Sequence, residues 1–388
     1  MEFFGKTNID FLGKKWYFLG FSLIFSIAGV LSLLFWHHVP LGVDFRGGTL
    51  VYVKFNSTPN EDQIRAALDK AGLHNARIQR YDTAGKNEEL IDLPQRATKS
   101  GDVSGDSDLT VEALRGTAPQ GQQDLNNVGF AAVRDALVKS DPIHVTPQEY
   151  EKIAHQIVDF RDKQRDWLFK DVDEVRQARV PAAVVDSLKK GFYAGDFHVF
   201  GTEVVGPQVG KQLQQRAFLA TLYSLLGMLV YLWFRFEMIY GVAAVVAVFH
   251  DTLITVGAFS LTNTDITLTV IAAILTLIGY SMNDTIVVFD RIRENIKLMR
   301  RESLAEIVNR SINQTLSRTI LTSGLTFLTV LSLYLFGGEV LHGFSFALVI
   351  GILIGTYSSI AVAAPMLVAY QDWRSSRSGR PVPGRAKA

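Results

Sequence analysis

Four ionisable side chains stand inside apolar stretches where a charge is costly: His250, Asp251, Asp284 and Arg318. An Asp at the centre of a membrane helix costs roughly 2.5–3.5 kcal/mol on insertion scales, so each such group asks for a reason. His250-Asp251 falls near the middle of its stretch. It is either a proton site or an Asp held by Ser and Thr hydroxyls of neighbouring helices. By helical rise, Asp284 lies roughly 10 Å, and Arg318 roughly 12 Å, to the same side of centre on consecutive helices. An acid and a guanidinium at one depth can pair and separate, which is the alternation a proton carrier needs; a fixed ion pair or a snorkelling Arg would look the same in sequence. Thr322, one turn beyond Arg318, and Asn283, beside Asp284, either complete a polar path or serve as interhelical packing groups.

Other chemistries find little support. The chain has no cysteine, which removes disulfides and thiolate catalysis, and its eight histidines lack metal-ligand spacing. Gly5-Lys6-Thr7 has no upstream glycine or strand to make a phosphate loop, and Gly210-Lys211-Gln212 lacks the hydroxyl residue. There is no Gly-x-Ser-x-Gly elbow. No enzyme, cofactor or metal is therefore expected, and a net charge of +1 without a basic domain argues against a nucleic-acid partner.

The elements that must position these groups read as helices in lipid. With 388 residues and 48% hydrophobic content, the chain is too apolar for two or three soluble domains. Trp16–Trp36 is apolar over about 21 residues with aromatic ends, and no signal-cleavage pattern follows, so it is expected as a retained first span (16–36). Further runs at Ala217–Phe234, Met238–Leu261, Ile266–Val288, Leu316–Phe336 and Leu341–Val368 are spans two to six, within 214–370, making six in all. Arg291, Arg293, Lys297, Arg300, Arg301 and Arg310 follow span four, and Arg374, Arg377, Arg380, Arg385 and Lys387 follow span six. The positive-inside rule then puts 1–15, the loop at about 289–315 and the tail 371–388 in the cytoplasm, and 37–213 outside.

In that exterior region Thr49–Phe55 alternates like a strand, and Thr58-Pro59-Asn60-Glu61 predicts a helix start with Thr58 as cap. Ala76–Tyr81 predicts a short strand, residues 84–127 a loose loop, and Phe130–Val138, Pro147–Phe169 and Pro181–Gly191 helices before a closing strand at His198–Val205. The domain is expected to be α+β. Ser303-Leu304-Ala305-Glu306 opens a capping box, expected to start a separate interfacial helix. Ala347, Gly351, Gly355, Ser359 and Ala363 make a small-residue stripe suited to close helix packing.

Several of these segments together resemble SecF, a subunit family of bacterial protein export. They are Gly42-Val43-Asp44-Phe45-Arg46-Gly47-Gly48, the stretch Glu203–Gly210, His250-Asp251, the long motif Ile278–Asn295, Thr315–Thr319 and Gly355–Ser359. The resemblance implies six transmembrane helices with an enlarged ferredoxin-like periplasmic domain between helices 1 and 2, in the inner membrane. It implies a SecD partner completing a twelve-helix unit of the resistance-nodulation-division type, and association with the SecYEG channel, with YajC and YidC as further candidates. It also implies use of the proton gradient to help draw unfolded preproteins outward. Asp284, Arg318 and Thr322 inherit proton-pathway roles, with Asp251 and Asn283 as further candidates. Asp44, Gly47, Gly48, Gly206 and Pro207 look like joints between domain and helices. The chain departs from the family in a long insertion at about 84–190.

Overall fold

Among the described residues, six helices of the computed structural model are long and apolar enough to cross a membrane. The structure describes residues 7–81, 86–94, 105–116, 119, 121–236 and 238–378. Gly5 and Lys6, and Arg380, Arg385 and Lys387 of the tail, lie outside these. The described chain divides into two compact units, Val43–Lys211 and the flanking segments Met1–Gly42 with Gln212–Ala388.

The helical unit begins with α1 (Lys15–Phe35). After the other unit come α8 (Pro207–Arg235), α9 (Met238–Thr262), α10 (Leu268–Leu298) and α11 (Leu304–Phe336). The sixth span, Val340–Arg374, is composite. It contains α12 (Glu339–Ser358), a π-helical turn at Ser359–Ala363, and α13 (Ala364–Ser378). The small-residue stripe packs α12 on α10: a β-carbon at Gly351 would lie 2.5 Å from Leu277 Cδ1, and one at Gly355 3.0 Å from Ser281 Cβ. α1 meets α9 equally closely, since a β-carbon at Gly257 would stand 2.6 Å from Gly29 Cα.

One expectation is corrected here. The capping box is present, with Ser303 Oγ accepting from Glu306 N at 3.3 Å and Glu306 Oε2 accepting from Ser303 N at 2.9 Å. Yet it opens α11 itself, not a separate interfacial helix. No Gly or Pro stands between 304 and 323 to stop propagation, and α10 likewise continues to Leu298. The expected loop at 289–315 shrinks to 299–303. Near its foot, Asn309 and Asn313 of α11 hold the segment before α1. Asn313 Oδ1 accepts from Ile9 N at 2.8 Å while its Nδ2 donates to Ile9 O at 2.8 Å, and Asn309 Oδ1 accepts from Phe11 N at 2.9 Å.

The other unit is built on a four-stranded antiparallel sheet in the order β2-β3-β1-β6. Its strands are β1 (Gly48–Phe55), β2 (Arg77–Arg80), β3 (Glu88–Pro94) and β6 (Phe197–Val205). Helices α3 (Glu61–Lys70) and α4 (Gly105–Arg115) belong to it, giving the β-α-β-β-α-β succession of a ferredoxin-like fold. Val51, Val53, Ile64, Leu68, Ile78, Ile91, Leu93 and Phe197 form its core. The cap of α3 is Asn60, whose side chain accepts from Asp62 N and Gln63 N, not Thr58.

The insertion is also redrawn. Residues 84–127 are not one loose loop: β3 pairs along its length with β1, and α4 packs on the sheet. Residues 82–85 and 95–104 lie outside the described set. What is inserted follows α4 and ends before β6: β4 (Gln123–Asp124), α5 (Phe130–Ser140), α6 (Pro147–Gln164), a 3-10 turn (Val172–Ala178), α7 (Ala182–Gly191) and β5 (Phe192–Tyr193). It has its own core, including Val133, Leu137, Tyr150, Ile157, Phe169, Val184 and Leu188.

A buried polar hub ties the insert to β6. Asp124 Oδ1 accepts from Gly195 N at 2.9 Å, and Asn127 Nδ2 donates to Phe197 O at 2.9 Å. Asn126 Nδ2 donates to Phe169 O at 2.9 Å and Gly195 O at 2.6 Å. His198 Nδ1 donates to Asn126 O, and its ring stacks on Trp167 at 5.3 Å. Burial, then the Arg161 charge, push the His198 pKa down from 6.5 to about 4. The unfolded chain therefore binds more protons between those values, so stability is full above about pH 6.5 and is lost as pH falls towards 4, by roughly 3 kcal/mol at most. Hydrogen-exchange protection of β6 and residues 121–128 should weaken from pH 7 to pH 5, and His198→Asn should flatten that dependence; an unchanged pH response in the variant contradicts this.

Candidate functional site: two buried carboxylates in the helix bundle

α9 carries Asp251 fully buried, because it faces α10 and α12 along the small-residue seam where backbones run close. Asp251 Oδ2 accepts from Ser281 Oγ of α10 at 2.6 Å and from Ser358 Oγ of α12 at 2.7 Å. Oδ1 lies 3.0 Å from Nδ1 of the adjacent His250. The other ring nitrogen of His250 is hydrogen-bonded to Ser22 Oγ of α1. Four helices thus meet at one carboxylate.

Asp284 on α10 is 5% exposed and turned to α11. Its carboxylate accepts from Ser323 Oγ at 3.1 Å and, at the limit of a hydrogen bond, from Thr319 Oγ1 at 3.5 Å. Thr319 and Ser323 are four residues apart, hence on one face of α11. This carboxyl group is therefore less completely hydrogen-bonded than that of Asp251.

The expected pairing of Asp284 with Arg318 is not formed: among the described residues no ion pair joins them, and Arg318 is exposed on the side of the bundle. The reason is angular. Arg318 precedes Thr319, and one residue is about 100° around a helix, so turning Thr319 to Asp284 turns Arg318 away. Thr322 is exposed for the same reason, with its hydroxyl donating to its own helix at Arg318 O, 3.0 Å. Asn283 is exposed beside Asp284. Thr319, Ser323, Ser281, Ser358 and Ser22 were not singled out in the sequence; the 319/323 hydroxyl pair at helical spacing in an apolar run was the available signal.

Of the joint residues, Asp44 lies in the short helix α2 (Val43–Arg46), followed by Gly47 at φ 76° and Gly48 at φ 137°. Pro207 starts α8, where its missing N–H costs nothing. Close approach occurs at Gly210, where a β-carbon would lie 2.8 Å from Phe45 O, whereas Gly206 faces open space.

No group of three or more His, Cys, Asp or Glu suited to a metal occurs among the described residues. The arrangement offers proton chemistry: buried carboxylates, an imidazole and hydroxyls able to donate or accept.

Comparison with known proteins places this geometry in context. Residues 184–373 match the family model of protein export membrane protein SecD/SecF, C-terminal. The chain is 64% identical over 394 residues to protein translocase subunit SecF of Koribacter versatilis, covering 100% of this chain and 97% of that one. It is 38% identical to the same subunit of Calditerrivibrio nitroreducens, covering 95% and 96%. Among solved structures it resembles SecDF, a translocon-associated membrane protein from Thermus thermophilus, with TM-score 0.66 and 29% identity over 94% of this chain. A SecDF in a super-membrane-facing form matches with TM-score 0.58 and 29% identity. The chain spans 39% and 40% of those two SecDF chains.

Proposed function

Because the chain belongs to the SecF family of protein translocase subunits, we propose that it is half of a proton-driven export motor in the bacterial inner membrane. With SecD it uses the proton motive force to promote late steps of preprotein translocation. The carrying observation is Asp284, a carboxylate inside a spanning helix with two hydroxyls for partners. The N-terminus and tail lie in the cytoplasm and the domain at 43–211 in the periplasm, as the basic loop residues favour.

The partner reading draws support from the exposed side of α10 and α11. Arg318, Asn283 and Thr322 face outward from segments of membrane-spanning length. A guanidinium and an amide left to lipid there are costly, so a second helix bundle is the fitting cover. That the chain spans two-fifths of each SecDF chain agrees with SecD supplying that bundle. SecYEG, with YajC and YidC, and unfolded preprotein are the remaining partners proposed.

In the proposed cycle, Asp284 takes a proton arriving between the two subunits and later releases it towards the cytoplasm. A rotation of α11 by one residue, about 100°, exchanges Thr319 for Arg318 beside Asp284. The anion then has a guanidinium, and the protonated acid has hydroxyls. Each charge crossing the potential supplies about 2.3 kcal/mol per 100 mV, enough to bias a domain movement.

A small-molecule exporter of the same superfamily would share the relay but carries both bundles and a drug pocket in one longer chain. A passive scaffold would keep the packing seam and tolerate neutral residues at Asp284 and Arg318. Proton flux in vesicles holding this chain and its SecD-like partner separates these readings: gradient-dependent flux tied to preprotein export supports the motor, and export without flux supports the scaffold.

A further inference from the structure

We propose that His250 and Asp251 form a second proton-holding station, separate from the hydroxyl cage of Asp284. Its role in transport rests on the export reading above, whereas its proton uptake is measurable independently of that reading.

The station is a continuous hydrogen-bonded chain across four helices. Ser22 Oγ on α1 bonds Nε2 of His250, Nδ1 of His250 stands 3.0 Å from Asp251 Oδ1, and Asp251 Oδ2 takes the hydroxyls of Ser281 and Ser358 at 2.6 and 2.7 Å. The two hydroxyl distances are those of strong hydrogen bonds to a charged acceptor, and 3.0 Å is an ordinary N–H···O length. Asp251 is wholly buried, while the His250 side chain keeps 14% exposure, so the imidazole is the less enclosed member of the pair.

Charge decides what the dyad does. With a neutral imidazole the pair carries one net negative charge inside a spanning segment; with an imidazolium it is a neutral ion pair already at bonding distance. One proton of the gradient, taken up at Nε2, makes the change. Ser22 donates to Nε2 in the empty form and accepts Nε2–H in the loaded form, which a rotating hydroxyl permits. No heavy-atom bond forms or breaks, and the same proton leaves by the same nitrogen on unloading.

The elements packed on α9 carry Lys15 and Tyr17 at the start of α1, Tyr280, Asp284, Asp290, Arg291, Arg293, Glu294 and Lys297 on α10, His342 and Tyr357 on α12, and Tyr370, Asp372, Arg374 and Arg377 on α13. Asp284 bonds to α11, whereas Tyr357, which donates to Phe18 O, also meets the Ser22 hydroxyl and so adjoins the His250 end of the chain. Ser358 is the last residue of α12 before the π-helical turn at Ser359–Ala363. Such turns interrupt the regular carbonyl ladder and concentrate at functional sites, so loading the dyad acts on a helix where the register already changes.

The test counts protons. Purified full-length chain with its SecD-like partner is acidified from about pH 8 to pH 5 against an indicator dye, comparing wild type, His250→Asn and Asp284→Asn. His250→Asn should take up one proton fewer than wild type, and Asp284→Asn should retain the uptake at His250. In proteoliposomes, His250→Asn should lower gradient-driven proton flux by about tenfold or more. If that variant does not fold, histidine-labelled wild type read by nitrogen NMR answers instead: both ring nitrogens of His250 should be protonated at the acid end. Equal uptake by wild type and variant, or an imidazole singly protonated across the whole transport range, overturns the station. Loss of flux in His250→Asn with unchanged flux in Asp284→Asn would overturn the Asp284 reading and leave the station standing.

Discussion

Proton flux through vesicles containing the Asp284→Asn chain and its partner should fall to background, a loss of at least about a hundredfold, with preprotein export losing its gradient dependence. The substitution is chosen because it preserves shape. The carboxylate accepts from Ser323 Oγ at 3.1 Å and Thr319 Oγ1 at 3.5 Å. An asparagine in the same rotamer accepts from one hydroxyl and donates to the other, since each hydroxyl can take either role. Packing of α10 on α11 should persist, as read by unchanged thermal melting and unchanged co-purification with the partner. What asparagine lacks is a second protonation state. Normal flux in a well-folded variant would remove Asp284 from the proton path.

The second large effect is expected far from the bundle. Asn126→Ala deletes an amide that is wholly buried and bonded to Phe169 N at 2.9 Å, Phe169 O at 2.9 Å and Gly195 O at 2.6 Å. Alanine leaves Phe169 N and Phe169 O without this partner and Gly195 O with only a long bond from Asn56 Nδ2 at 3.4 Å, and each unmade bond in a dry site costs about 1–3 kcal/mol. A local loss on the order of 4 kcal/mol is a large part of a small domain's stability. Residues 121–195 of the variant should therefore show protease cleavage under conditions where the wild type resists, with the spanning helices still folded. Resistance equal to wild type would mean that the insert is held by its apolar core and not by the hub.

The contrast between these sites explains what could be read from sequence. Spans were legible because about 20 apolar residues in a row have few alternatives. The cap at Ser303 was legible because a capping box is local chemistry, yet a cap marks only where a helix starts; its end at Phe336, before Gly337 and Gly338, depended on how far propagation ran. Strand β3 escaped because its inward face is Glu89, Ile91 and Leu93 and its other face Leu90 and Asp92, so polarity does not alternate with the pleat. Burial, then the charge of Glu61, raise the Glu89 pKa, the cost of placing an acid in that core. The depth of Asp284 was calculable from helical rise, but the rotation of α11 was not, which is why Thr319 and Ser323 stand where Arg318 was expected.

The amides of Asn309 and Asn313 grip the leading segment by its peptide groups at Ile9 and Phe11 and touch nothing that distinguishes one amino acid from another. A lock of this kind reads extension and not spelling. At Ile9 the grip leaves the side chain free to vary, whereas Thr7 adds its own hydroxyl bond to Asn313 O at 3.3 Å, and either asparagine is fixed by the two-sided donor and acceptor pattern that no aspartate or leucine supplies.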